Sequence, residues 1–176
     1  MRQLILTVAL AACVSPAVAQ AQVSFTQASK KQWDDVKVYV IKSAEQVPEA
    51  DYAFKPTEKV RSFGELITHV ADDNFGICAL SISDKTKNFG DIEKQKKTAK
   101  ADLVAALKAS VAYCDAAYAK MDDKTAAEVI DMFKTPTPRL GVLMMNTNHV
   151  WEHYGNIITY LRLKNMVPPS SQGASQ

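Results

Sequence analysis

From Pro138 to Lys164 the sequence, PRLGVLMMNTNHVWEHYGNIITYLRLK, holds no second proline and reads as one long helix. Thr137 can cap it, and Pro138 suits its first turn, where the N–H that proline lacks has no partner to lose. Within it lies His149-Val-Trp-Glu-His153. A spacing of four puts both imidazoles on one helix face, roughly 40° apart at about 100° per residue. On the same wheel Val142, Met145, Asn156 and Tyr160 fall within roughly 40° of His149. The apolar arc continues through Val150, Ile157, Leu143, Leu161, Tyr154 and Ile158, while Glu152, Asn148, Thr159, Gly155 and Arg162 form the polar sector. The histidine pair therefore sits at the border of core and polar face, where a site can open to solvent. The one other histidine in the chain is His69.

Three more segments have helical spacing. The first runs from about Phe25 to Gln46, with Trp33, Val36, Val40 and Ile41 on one face. Val47-Pro48 ends it, and a loop containing Pro56 follows. The second opens at Ser62-Phe-Gly-Glu65, a capping-box pattern. Leu66, Ile67, Val70, Ile77 and Leu80 give its stripe, which should fade near Asp84. Lys85 to Lys97 is a lysine-rich connector whose charges read as a solvated loop. The third helix runs from about Thr98 to Met121, burying Leu103, Val104, Leu107, Val111, Cys114 and Tyr118. Ala126 to Phe133 is left open between a short helix and an irregular connector. With no strand alternation of useful length and no internal repeat, the expected fold is all-α, a four-helix bundle without a sheet.

The first residues, MRQLILTVALAACVSPAVAQAQ, have the form of a secretory signal. Arg2 supplies the positive start, and Leu4 to Val14 is an apolar run too short to span a bilayer as an ordinary helix. Ala17-Val18-Ala19 and Ala19-Gln20-Ala21 offer small-residue cleavage sites. The expectation is a signal peptide over residues 1–21, one bundle domain over 22–167, a disordered tail over 168–176, and a periplasmic or secreted protein. The alternative is a lipoprotein: Leu10-Ala11-Ala12-Cys13 resembles a lipobox that would anchor the chain at Cys13. The net charge of +2 gives no support for nucleic-acid binding. Past the signal two cysteines remain, Cys78 and Cys114, whose pairing the sequence leaves open.

Two histidines at this spacing form a good metal half-site, because helical geometry aims both rings at one point. Alone, the pattern is more often a pair of packed or surface histidines. It also departs from the zincin motif, which has glutamate directly after the first histidine; Val150 stands there. His69 alters the balance. It lies among apolar residues on a separate helix, where an unpaired imidazole is costly. Asp73, one turn on, is a candidate fourth ligand or supporting group, against the alternative of an exposed carboxylate. Cys78, roughly 180° round the helix from His69, should face away. No protein nucleophile is evident; Asp73, Glu152 and Tyr160 are the nearest candidates for proton handling, and the catalytic residue is unknown.

Three stretches resemble the DinB/YfiT-like family: Phe63-Gly-Glu-Leu-Ile-Thr-His69-Val-Ala, Asn148-His149-Val-Trp-Glu-His153-Tyr-Gly, and Tyr160-Leu-Arg-Leu-Lys-Asn-Met-Val-Pro-Pro169. In order and spacing they cover essentially the whole mature chain. The resemblance implies an up-down-down-up bundle with a long link between its second and third helices, a place that Lys85 to Lys97 can fill. It implies His69, His149 and His153 as the metal triad. The implied cofactor is a divalent ion, with Zn, Ni, Fe and Mn not distinguished. Some members are metal-dependent hydrolases or thiol transferases, so the implied partner is a small-molecule substrate or a thiol co-substrate. Export departs from the better-understood members and sets this chain apart from a cytosolic thiol. The expectation is an exported metal-dependent hydrolase or thiol transferase; the alternative is a non-catalytic metal- or ligand-binding bundle of the cell envelope. No nucleic acid and no transmembrane segment in the mature chain are expected, and a homodimer is compatible with the sequence.

Overall fold

The structure, a computed structural model, describes residues 23–173. The expected signal peptide, Cys13 and the last three residues of the tail lie outside the described residues.

Helix α1 spans Phe25–Gln46, α2 Phe63–Ser81 and α3 Lys100–Ala119. A short α4, Asp123–Ala127, leads to strands β1, Val129–Met132, and β2, Thr135–Pro138. Helix α5, Arg139–Leu163, follows directly. Two starts are fixed by capping boxes, Ser24 with Gln27 and Ser62 with Glu65, each satisfying two end donors reciprocally. The start of α5 differs from expectation. Pro138 is its cap residue with no side-chain capping bond, and the Thr137 hydroxyl donates to the Thr135 carbonyl instead.

Each long helix brings its apolar stripe to one core, where Trp33, Val36, Ile67, Leu107, Leu143 and Ile157 are all fully buried. Helix α2 packs on α3 and α5, and α1 packs on the same two, so α1 and α2 are diagonal. Directions follow from named contacts. Gly64 approaches Leu103, Asn74 bonds Ser110 and Cys78 bonds Cys114, so α2 and α3 run parallel. Tyr39 stacks on Tyr154 and Gln46 bonds the Val167 carbonyl, so α1 and α5 run parallel too. Phe63 meets Tyr160 while Arg139 bonds the Ser81 carbonyl, so α2 and α5 run antiparallel. This is the up-down-down-up order, and residues 82–99 return the chain along the bundle between the parallel pair.

Three expectations are corrected. The bundle does carry a small sheet: β1 and β2 pair antiparallel, Val129 opposite Pro138 and Met132 opposite Thr135. Its turn residues Phe133 and Lys134 have φ of 52° and 69°. The Lys134 N–H donates to Asp131 Oδ1, which helps hold that left-handed backbone. The usual Asn-Gly or Asp-Gly turn pair is absent, so the hairpin left no local signal. The tail is ordered as far as it is described. Pro168 and Pro169 are buried, and the Ser170 N–H donates to the Tyr154 hydroxyl, which donates to Ser170 Oγ. The third helix is also shorter than expected, starting at Lys100 and ending at Ala119.

The open question of the cysteines is answered. Cys78 and Cys114 form a disulfide joining α2 to α3, with Cα atoms 5.3 Å apart and both residues fully buried.

Candidate metal centre

The antiparallel packing of α2 on α5 sets His69 against the His149–His153 pair. Ring centroids lie 5.4 Å apart for His69 and His149, 4.8 Å for His69 and His153, and 4.3 Å for His149 and His153. One nitrogen from each ring lies within 4.8 Å of the other two. The Nε2 atoms of His149 and His153 are 2.8 Å apart, a hydrogen bond in which one ring must be the donor. That is shorter than the roughly 3–4 Å that bonds of about 2 Å at tetrahedral angles require, so admitting an ion means spreading these two rings slightly. His153 is buried and the other two are half-buried, which places the cluster at the border of the core as the helix wheel implied.

Two carboxylates complete the surroundings. Asp73, one turn past His69, puts Oδ2 3.2 Å from His69 Nε2 and 3.4 Å from His149 Nε2. Glu93 comes from the link between α2 and α3 and puts Oε1 3.0 Å from His69 Nδ1. A carboxylate there can accept an Nδ1 proton, and in that tautomer the Nε2 lone pair is free for a metal, the arrangement typical of metal-binding histidines. Glu93 arrives there because the link is pinned. Asp72, 2% exposed, accepts backbone N–H bonds from Gly90 and from Ile92, the latter at 2.6 Å. Phe89 packs against α2 at Gly76, where a Cβ would come 2.6 Å from the ring.

The electrostatics suit neutral imidazole. Burial lowers the His153 pKa to about 4, with the neighbouring His149 and His69 adding to the effect. Burial also lowers His149, partly opposed by the Asp73 charge. Burial pushes the Asp73 carboxyl up, against the pull of His69 and His149. Imidazole must be neutral to ligate, so the lowered values of His149 and His153 favour a bound cation. The Nδ1 atoms of His149 and His153 are buried without a hydrogen-bond partner. Three imidazoles, one of them oriented by a carboxylate, fit a borderline-soft divalent ion.

The other candidates from the sequence fall outside this cluster. Glu152 is exposed on the polar face of α5. The Tyr160 hydroxyl donates to the Arg61 carbonyl at 2.5 Å and is occupied there. Cys78 is taken up by the disulfide, away from the histidines as its helix position implied. Sequence reasoning missed Asp72 and Glu93. Glu93 sits in a run of lysines that reads as solvated loop, and nothing local ties it to His69.

A parallel-paired four-helix bundle with three histidines gathered between its second and last long helices defines a class of small helical proteins. The chain matches the DinB superfamily over residues 32–157 and belongs to it. Among solved structures, a DinB-like protein from Bacillus cereus ATCC 10987 superposes with a TM-score of 0.65 at 16% identity, covering 80% of this chain and 93% of that one. A DinB-like protein from Bacillus subtilis gives a TM-score of 0.63 at 18% identity, covering 80% and 94%. A mycothiol-dependent maleylpyruvate isomerase gives 0.63 at 16% identity, covering 86% and 73%. At these identities the likeness is one of fold. No curated protein sequence matches the chain.

Proposed function

We propose that His69, His149 and His153 bind one divalent metal ion, and that the protein is an exported metal-dependent hydrolase or thiol transferase. The observation that carries this reading is the convergence of three imidazoles from two helices, with burial lowering the pKa of His149 and of His153. A divalent ion at that point would act as a Lewis acid, lowering the pKa of a water or thiol. With a metal on Nε2, Glu93 would accept the His69 Nδ1 proton, and the bundle core fixes His153. Asp73 Oδ2, half-buried at the edge of the cluster, is placed to accept a proton from a group entering beside His69 and His149. The mycothiol-dependent isomerase among the structural neighbours lends support to the thiol branch of the reading. Export rests on the signal-like first residues, and a buried disulfide is in keeping with an oxidising compartment.

Asp73 Oδ2, 3.2 Å from His69 Nε2 and 3.4 Å from His149 Nε2, favours a second reading. If Asp73 joins the three histidines as a fourth ligand, the site is closed and the protein is a non-catalytic metal- or ligand-binding bundle of the cell envelope. Elemental analysis of untagged protein from its native compartment tests the shared premise. About one equivalent of a divalent ion is expected, and none would remove both readings. The effect of Asp73→Ala then separates them. A catalytic base leaves metal affinity nearly unchanged when removed, and a fourth ligand does not.

A further inference from the structure

Beside the histidine cluster, the loop after α1, the start of α2 and the link before α3 enclose a groove of about 960 Å³. That is within the usual range for small-molecule sites, about 300–1,000 Å³. Tyr52, Gly64 and Leu103 contribute an apolar floor. Five basic side chains line it, Lys55, Lys59, Arg61, Lys96 and Lys97, against three acidic ones, Glu49, Glu65 and Glu93. The basic groups are incompletely answered. Lys55 pairs with Glu65 at 3.2 Å, but Arg61 reaches Glu93 only at 3.9 Å and Lys97 reaches Asp102 only at 3.8 Å. Lys59 and Lys96 make no ion pair among the described residues.

The groove and the histidine cluster share a wall. Glu93 stands between them, one oxygen 3.0 Å from His69 Nδ1 and 3.9 Å from Arg61. A ligand in the groove therefore lies one side chain from the metal centre. We infer that the groove binds a small organic carboxylate with an apolar body, held on the far side of Glu93 from the three histidines. Anion binding in the groove does not rest on the metal-centre reading. Arg61 is held only loosely by Glu93, so its planar fork is free to take a carboxylate in bidentate fashion. Lys59 and Lys96 add charge, and Tyr52 and Leu103 take the hydrocarbon.

The test uses the full mature chain, with and without one equivalent of zinc, and two probes of the same shape: benzoate and the uncharged benzamide. Binding is followed by amide chemical shifts. Benzoate should saturate a site whose shifts centre on Tyr52, Arg61 and Lys96, with or without zinc, and benzamide should bind at least about tenfold more weakly. Arg61→Gln, and separately the pair Lys59→Gln with Lys96→Gln, should weaken benzoate about tenfold and leave benzamide unchanged. These side chains are on the surface, and an unchanged thermal midpoint verifies that the variants fold. Equal binding of the two probes, or benzoate shifts confined to His69, His149 and His153, would overturn the inference. Loss of zinc binding with benzoate selectivity retained would overturn the metal centre and support the groove.

Discussion

Glu93 Oε1 lies 3.0 Å from His69 Nδ1, although 24 residues separate them. The link that delivers this carboxylate is fastened to α2 by Asp72 and Phe89, so part of the candidate site is built by a connector rather than by the helices. Removing the carboxylate should free the His69 ring to turn. Glu93→Ala is expected to lower zinc affinity by about 10–100-fold. Glu93→Gln keeps an acceptor and should lose less. Competition with a chromophoric chelator measures both.

The link can also be displaced without touching any charged group. At Gly76 a new Cβ would meet Phe89, 2.6 Å from its ring. Gly76→Ala should leave the helical circular dichroism intact, since alanine favours helix over glycine by about 1 kcal/mol. It should nonetheless weaken zinc binding, because shifting Phe89 moves the link that carries Glu93. Unchanged affinity in this variant would mean that Glu93 does not depend on the link being seated.

Acid should loosen the metal-free protein. Folding lowers the His153 pKa from 6.5 to about 4. Between those values the unfolded chain binds more protons, so stability falls as pH drops. This contribution is fully present above about pH 6.5 and lost progressively toward pH 4. The burial that lowers His149 acts in the same sense. Urea midpoints from pH 7 to pH 4 should decline, and His153→Phe should flatten the decline.

The buried bond between Cys78 and Cys114 closes a loop with a sequence separation of 36. Breaking it by reduction should cost about 2–4 kcal/mol. Urea unfolding with and without reductant measures the difference. Zinc affinity should change little, since neither sulfur faces the histidines.

Much of this was legible in the sequence because it was written in local patterns. The four long helices follow from apolar spacing, and the second start from Ser62 and Glu65. The meeting of His69 with His149 and His153 was legible from the i,i+4 spacing of the pair, the apolar setting of His69 and the family resemblance. What stayed hidden was non-local or lacked the usual residue. The hairpin turns on Phe133 and Lys134, residues that seldom take positive φ. Asp72 reads as one more helical acid until Gly90 and Ile92 fold back onto it. Glu93 is one charge in a lysine-rich run, and its partner is fixed only when the link folds. The ordered end at Pro169 depends on the Tyr154 hydroxyl, which no composition rule points to.

Calorimetric titration of metal-free, untagged protein with zinc should show one tight site per chain. Binding should be sharply weakened in His69→Ala, in His149→Ala and in His153→Ala, and unchanged in Glu152→Gln. Undiminished zinc binding by His69→Ala would contradict the metal-centre reading, because the cluster would then not be the site.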